Sequence, residues 1–271
     1  MIKAIKVWLR KYPTVRRLVH LKDRMLWPVA QIARVSALPK YAGFFRQWKQ
    51  FKRAGGSAHA IDLFPCLFDR TAKTGIDTHY FYQAIWAYRN IFESRAPTHV
   101  DVASDVRFVG MLTAVTEVTF VDIRPLDIQL ERYRCAAGSI LALPFDDNSV
   151  RSLSCLSVAE HIGLGRYGDQ IDPDGTRKAC RELARVLAPG GSLYFTLPVG
   201  KEKTCFNAHR IHGPGKIMEY FADLRLHEFS VVDDGGAYRK NVAPIDYEGA
   251  EFANGLFHFK KPDVSAGREV G

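Results

Sequence analysis

The chain has 271 residues and a formal charge of +9, with 47% hydrophobic and 25% charged residues. That balance suits a soluble globular protein of one large domain, or one domain plus a helical appendage, and excludes a collagen-like or wholly disordered chain. Five scattered cysteines without a CxxC or Cys/His cluster exclude a zinc framework and suit a reducing cytoplasm. No run approaches the roughly 18 apolar residues that cross a bilayer.

The charge is unevenly placed. Met1–Arg53 holds fourteen Lys and Arg against one acid, Asp23, while the rest of the chain has twenty-four basic and twenty-eight acidic residues. Between Met1 and Phe51, basic positions alternate with Ile2, Ile5, Trp8, Leu9, Leu18, Trp27, Phe44, Phe45 and Trp48. Spacings of three and four predict short amphipathic helices broken at Pro13, Pro28 and Pro39. Such a segment suits an anionic membrane surface; a basic helix packed on the main domain is the plainer alternative. Lys3 and Lys6 begin like a signal peptide, but Arg10, Lys11, Arg16 and Arg17 interrupt any apolar core, so the expected place is the cytoplasm, peripheral to its membrane.

Ala54-Gly55-Gly56-Ser57 reads as a hinge. It separates a basic helical segment, residues 1–56, from a helical cap, 57–97, and a main domain, 98–271. Within the cap, Asp77–Phe92 is predicted to be an aromatic-rich helix with Asp77 or Thr78 as N-cap, covering one edge of the sheet. From Val100 strands and helices alternate. The apolar runs His99–Ala103, Val118–Ile123, Val150–Ser157 and Ser192–Val199 suit buried parallel strands. Helices are predicted over Arg107–Val115, Asp174–Leu187 and Gly213–Leu224, with Ala188-Pro189-Gly190-Gly191 as a stop. Leu226–Asp233 and Gly255–Lys261 have no long helix between them and are predicted to pair as an antiparallel hairpin at one edge. The fold class is therefore α/β, a doubly wound Rossmann-like sheet with an antiparallel last strand and a basic N-terminal helical extension.

In such a sheet ligands bind beyond the carboxyl ends of the strands. That rule selects the loops Ala103–Asp105, Asp122–Arg124, Gly138–Leu141, Val158–Asp169 and Pro198–Gly200. Asp122 ends a strand, where an acid can accept both ribose hydroxyls of a nucleoside cofactor or merely cap a helix. Glu160 and His161 follow another strand. His161 can act as a general base near neutral pH, or can cap the strand or bond a backbone carbonyl; Glu160 fits an organising role. The loop holding Gly163, Gly165, Arg166, Tyr167, Gly168 and Asp169 lacks the Gly-Lys-Ser/Thr ending of a phosphate loop, but can present polar groups to a glycan or phosphate. Asn207, His209 and Arg210 can meet sugar hydroxyls and an anionic group, or belong to a lid. His209 and His212 lack a third ligand nearby, so no metal is expected.

The stretch GSILALPFDDNSVRSLSCLSVAEHIGLGRYGD followed by RELARVLAPGGSLYFTLPVG resembles the central block of class I S-adenosylmethionine-dependent methyltransferases. More narrowly, EHIGLGRYGD, PVG, FNAHRI and GLFHFKK resemble a methyltransferase-like family of unassigned function associated with bacterial surface-polysaccharide genes. The likeness covers roughly residues 98–261; RVLAPGG is specific for the fold, not for the reaction. It implies S-adenosylmethionine bound by Asp101, Ala103, Ser104, Asp105, Asp122, Ile123, Ser139, Ile140, Leu141 and Ser157. His161 and Glu160 would be catalytic. A glycan or nucleotide-sugar-like acceptor would meet Arg166, Tyr167, Asp169, Asn207, His209 and Arg210.

Two departures stand out. The superfamily's first loop, D-x-G-x-G-x-G, here reads Asp101-Val102-Ala103-Ser104-Asp105, and an alanine is tolerated there only where φ is negative. The adenine-binding acid after the third strand is replaced by Gly138-Ser139, leaving Ser139 as a weaker hydrogen-bonding group. A catalytically inactive binding or scaffolding subunit is therefore the alternative function. An RNA methyltransferase is disfavoured by the net-acidic body, and nucleic acid is not the expected partner; oligomeric state is open.

Overall fold

A computed structural model describes residues 38–263, which form two compact units, one up to Gly75 and one from Ile76 onward. Most of the basic stretch expected to meet a membrane precedes Leu38 and lies outside the described residues. In the first unit, α1 (Leu38–Arg53) carries Leu38, Tyr41, Phe44, Phe45, Trp48 and Phe51 along one stripe, with Lys40, Arg46, Lys49, Lys52 and Arg53 beside it and no acid. None of its residues is buried. The expected hinge is a helix stop: Gly55, with φ +90°, donates from its N–H to Lys52 O while Gly56 N–H donates to Phe51 O, closing the last turn.

The second unit sandwiches an eight-stranded sheet between two helical layers. Its strands are β1 (Thr98–Val102), β2 (Glu117–Asp122), β3 (Tyr133–Ala137), β4 (Val150–Leu156), β5 (Leu187–Val199), β8 (Arg225–Val232), β9 (Tyr238–Arg239) and β10 (Ala253–Lys260). Separately, β6 (Lys203–Cys205) and β7 (His209–Ile211) form an antiparallel hairpin. The main sheet runs β3-β2-β1-β4-β5-β10-β8-β9. The first five strands are parallel, and β10 is antiparallel to both neighbours.

This corrects the expected edge hairpin. β8 and β10 do pair, but β10 is inserted between β5 and β8, and the edge is the two-residue β9. β10 is buried along all but its last residue, which explains its large apolar residues Leu256, Phe257 and Phe259. β3 escaped the sequence reading because it is a half-exposed edge strand, Tyr-Arg-Cys-Ala-Ala, without β-branched residues. Ala188–Gly191 does not precede a new strand. It is an excursion within β5, across which the pairing with β4 jumps from Val150–Leu187 to Ser152–Ser192.

Helix α2 (Thr78–Ser94) starts where Asp77 accepts from the Tyr80 N–H. Its inward stripe of Gln83, Trp86, Ala87 and Ile91 packs over the face of the sheet rather than its edge, against Leu156, Tyr194, Val232 and Leu256. α3 (Val106–Leu112) joins this layer through Phe108, Val109 and Leu112. The opposite face is covered by α4 (Gly175–Val186), with Ala179, Cys180 and Leu183 inward, and α5 (Pro214–Tyr220), with Ile217 inward. Burying these side chains is the main stabilisation of the unit, at about 1.5–3 kcal/mol for each large one.

Candidate functional site

The carboxyl ends of β1, β2 and β4 frame two adjoining cavities. The first, about 120 Å³, is walled by Asp122, Ile123, Ser139, Ile140, Leu141 and Val158 among others. The second, about 360 Å³, opens between the Ala103–Asp105 loop, Glu160, Tyr80, His209 and Phe252. Ala103, Ser157, His161 and Tyr167 border both. Small-molecule sites usually measure about 300–1,000 Å³, so a nucleoside-sized ligand would have to extend from the first cavity into the second.

Asp122 ends β2 with one oxygen accepting the Arg124 N–H at 2.7 Å, and its side chain is mostly buried. Oδ2 receives no hydrogen bond from the protein. Beside it Ser139 accepts the Leu141 N–H at 3.2 Å and its carbonyl accepts from Ala142, holding the turn after β3. Ile123, Ile140 and Leu141 give this cavity apolar walls.

The Ala103–Asp105 loop is anchored from beneath by a buried polar ladder. Ser104 N–H donates to Asp101 Oδ1 at 3.0 Å, Ser154 donates to Asp101 Oδ2, and His99 lies between Ser152 and Ser154 at 2.7 and 2.8 Å. Ser104 Oγ in turn accepts the Leu156 N–H at 3.0 Å. Burial raises the Asp101 carboxyl to about 6 and lowers His99 to about 3, so at neutral pH Asp101 is charged and His99 neutral. With Asp101 ionised, Ser154 accepts from His99 Nε2–H and Ser152 donates to Nδ1. Asp101 is thus engaged inside the sheet and walls neither cavity, a correction to its expected contact with a ligand. Ala103 has φ +55° and Ser157 φ +56°, so alanine and serine occupy left-handed conformations at the cavity border. The condition under which alanine was tolerable is therefore not met, and strain of about 1–2 kcal/mol is held at Ala103.

Past β4, a 3₁₀ turn, Ala159–His161, presents both Glu160 and His161. His161 Nδ1 lies 2.5 Å from the Ala208 carbonyl and 3.3 Å from Arg166 Nη1; the much shorter contact is to a group that can only accept, which puts the proton on Nδ1 and the lone pair on Nε2. Burial lowers the imidazole and keeps it neutral. Glu160 is 2% exposed, and burial pushes its carboxyl up to about 8. Tyr167 lies between the guanidinium groups of Arg124 and Arg166, 4.8 and 5.1 Å from its ring centre, at the shared mouth. Asp105 caps α3, and its bonds to Arg107 hold its carboxyl below the usual range.

Three of the expected acceptor contacts are otherwise engaged. Asp169 accepts the N–H groups of Gly163, Gly165 and Tyr167, holding the glycine-rich loop in shape. Arg210 is buried on β7 and donates to the carbonyls of Ile162 and Asp172 at 2.5 and 2.9 Å. Asn207 sits at the β6–β7 turn with φ +63° and donates to Leu164 O, away from both cavities. His209 does border the second cavity and packs on Phe252, ring centres 5.1 Å apart. Tyr80, Phe252, Asn254 and Gln83 escaped the sequence reading, because only the topology brings α2 and β10 to the ends of β1 and β4. Arg124, two residues past Asp122, could have been found from its position.

The strand order, with an antiparallel strand inserted beside β5 and the cavities beyond β1 and β2, is that of the class I methyltransferase fold. A family model described as a Caenorhabditis protein of unknown function, DUF268, matches residues 102–230. Among solved structures, the N-methyltransferase NodS from Bradyrhizobium japonicum WM9, in complex with S-adenosyl-L-homocysteine, superposes with a TM-score of 0.50 at 16% identity, covering 73% of this chain and 92% of that one. A second structure of NodS gives a TM-score of 0.50 at 16% identity over 69% of this chain and 98% of that one. No curated protein sequence matches.

Proposed function

We propose that the protein is an S-adenosylmethionine-dependent methyltransferase acting on a glycan or other sugar-containing acceptor. The observation that carries this reading is the mostly buried Asp122, with one oxygen unbonded by the protein, at the wall of an apolar cavity in the methyltransferase strand order. Asp122 would accept the ribose hydroxyls, Ile123, Ile140 and Leu141 would flank the base, and the backbone of Ala103–Asp105 would face the amino-acid portion. When bound, the cofactor supplies an electrophilic methyl group. His161, its Nδ1–H fixed on Ala208, would take a proton from the acceptor at Nε2. Tyr167, Arg166, His209 and Phe252 supply aromatic and hydrogen-bonding faces suited to a sugar. The link to surface-polysaccharide assembly rests on the likeness of EHIGLGRYGD, FNAHRI and GLFHFKK, and the link to an anionic membrane on the basic, aromatic stripe of α1.

Calorimetric titration with S-adenosylmethionine and S-adenosylhomocysteine tests the reading. Binding is expected, and Asp122→Ala should weaken it at least about tenfold, the loss of one charge-assisted hydrogen bond. No binding at millimolar ligand would overturn it. That result would favour a non-catalytic binding subunit, the reading to which the left-handed Ala103 points. Flotation of the full chain with anionic but not zwitterionic vesicles is the expected outcome for the membrane contact.

A further inference from the structure

Among the described residues four buried side-chain atoms lack a hydrogen-bond partner, and of these only Glu160 Oε2 belongs to the walls of the two cavities. A buried carboxyl oxygen without a partner is costly, and in a folded protein it marks a place where something else supplies the donor. The adjacent His161 does not. Glu160 Oε1 is 3.7 Å from His161 Nε2, beyond hydrogen-bond range, and that nitrogen carries a lone pair because the ring proton is on Nδ1. Arg166 borders the same cavity, but its Nη1 is directed at the Ala208 carbonyl and at His161 Nδ1, 3.3 Å from each.

The wall around Glu160 has a definite character. Tyr80, Tyr167 and Phe252 are aromatic, and Asp77 adds a second acid against the cation Arg166, while Asp105 is paired with Arg107. Aromatic faces and carboxylates together favour a compact cation with several donors. We propose that this cavity binds a primary ammonium group, with the Glu160 carboxylate as its counter-ion. The acceptor is the source the placement favours, because Glu160 borders the second cavity and not the one built around Asp122. The amino-acid ammonium of the cofactor has the same chemistry and is the other source. The inference rests on the proposed function only in naming these two molecules.

The test uses the full chain and its Glu160→Gln variant, which replaces the protonated carboxyl by a group of the same shape. The probes are S-adenosylhomocysteine, 5′-methylthioadenosine, which lacks the ammonium, and, with the first probe saturating, glucosamine against N-acetylglucosamine. Glucosamine is expected to bind at least about tenfold more tightly than its acetylated form, and Glu160→Gln to erase that difference. At pH 6.5, where the buried carboxyl holds its proton, glucosamine binding should release close to one proton from the wild type and none from the variant. Loss of affinity for S-adenosylhomocysteine in Glu160→Gln, with 5′-methylthioadenosine unaffected, supports the ammonium site and assigns it to the cofactor. Glucosamine binding that depends on Glu160 in a chain that binds neither nucleoside probe also supports the site, while refuting the methyltransferase reading. Glucosamine no tighter than N-acetylglucosamine, together with S-adenosylhomocysteine affinity unchanged by Glu160→Gln, overturns the proposal.

Discussion

Replacing Gln83 by Met should unfasten the carboxyl ends of β4 and β5 and the amino end of β10 at once. Gln83 is 2% exposed on α2, and its Oε1 accepts from Ser157 Oγ at 2.8 Å, Thr196 Oγ1 at 2.9 Å and Asn254 Nδ2 at 3.0 Å. Methionine fills the volume but accepts almost nothing. Ser157 is half-buried and can turn to water, whereas Thr196 and Asn254 are fully buried. Two donors left unsatisfied, at about 1–3 kcal/mol each, give a loss of about 2–6 kcal/mol, a large part of the about 5–15 kcal/mol that holds a domain together. Urea denaturation, followed by the fluorescence of the neighbouring Trp86, reads this directly. Gln83→Glu keeps the acceptor and should lose distinctly less. A Gln83→Met variant within about 1 kcal/mol of wild type, or a Glu variant as damaged as the Met variant, would refute the network as the fastener of the site.

Ala103→Gly should leave stability within about 1 kcal/mol, since relief of the left-handed strain is offset by the greater freedom of the unfolded chain, while Ala103→Val should cost more than about 2 kcal/mol. Equal denaturation midpoints for the two would show that φ at Ala103 is not positive. The Glu160 carboxyl binds its proton more tightly folded than unfolded, so it favours the fold at low pH and that contribution fades as pH rises from the unfolded value toward about 8. The stability difference between Glu160→Gln and wild type should therefore grow between pH 5 and 8, by at most about 1.4 kcal/mol per pH unit, and parallel profiles would refute the burial argument. Arg210→Met should release the Ile162–Asp172 segment, measured as faster limited proteolysis there; cleavage at the wild-type rate would mean that the Arg210 hydrogen bonds do not hold the loop.

The polar ladder under the first loop explains how a sequence without the usual glycines still forms the turn. His99 and Asp101 alternate with Val100 and Val102 on β1, so the two polar residues share the α2 and α3 face while the valines join the other core. Ser152 and Ser154 stand opposite them on β4, and Asp101 reaches from that row to the Ser104 N–H. Read as a sequence, His99–Ala103 and Val150–Ser157 look like apolar strands interrupted at random. The register makes the interruptions a connected chain.

What the sequence determined by itself was the alternation of strands and helices, the pairing of Leu226–Asp233 with Gly255–Lys261, and the side of the sheet on which a site must lie. These follow from hydrophobic period, helix caps and the strand-end rule, all local in the chain or general to the topology. Only the tertiary structure decided where β10 sits and which polar side chains are free. Asp101, Asp169, Arg210 and Asn207 carry the right chemistry for a site, yet each is held by partners from another segment or by the backbone of its own loop. Glu160 looked like a mere organiser beside His161 and carries the buried carboxyl oxygen left without a partner. The availability of a side chain depends on what the rest of the fold places around it, and Tyr80, Phe252 and Glu160 meet only once α2 and β10 are docked on the sheet.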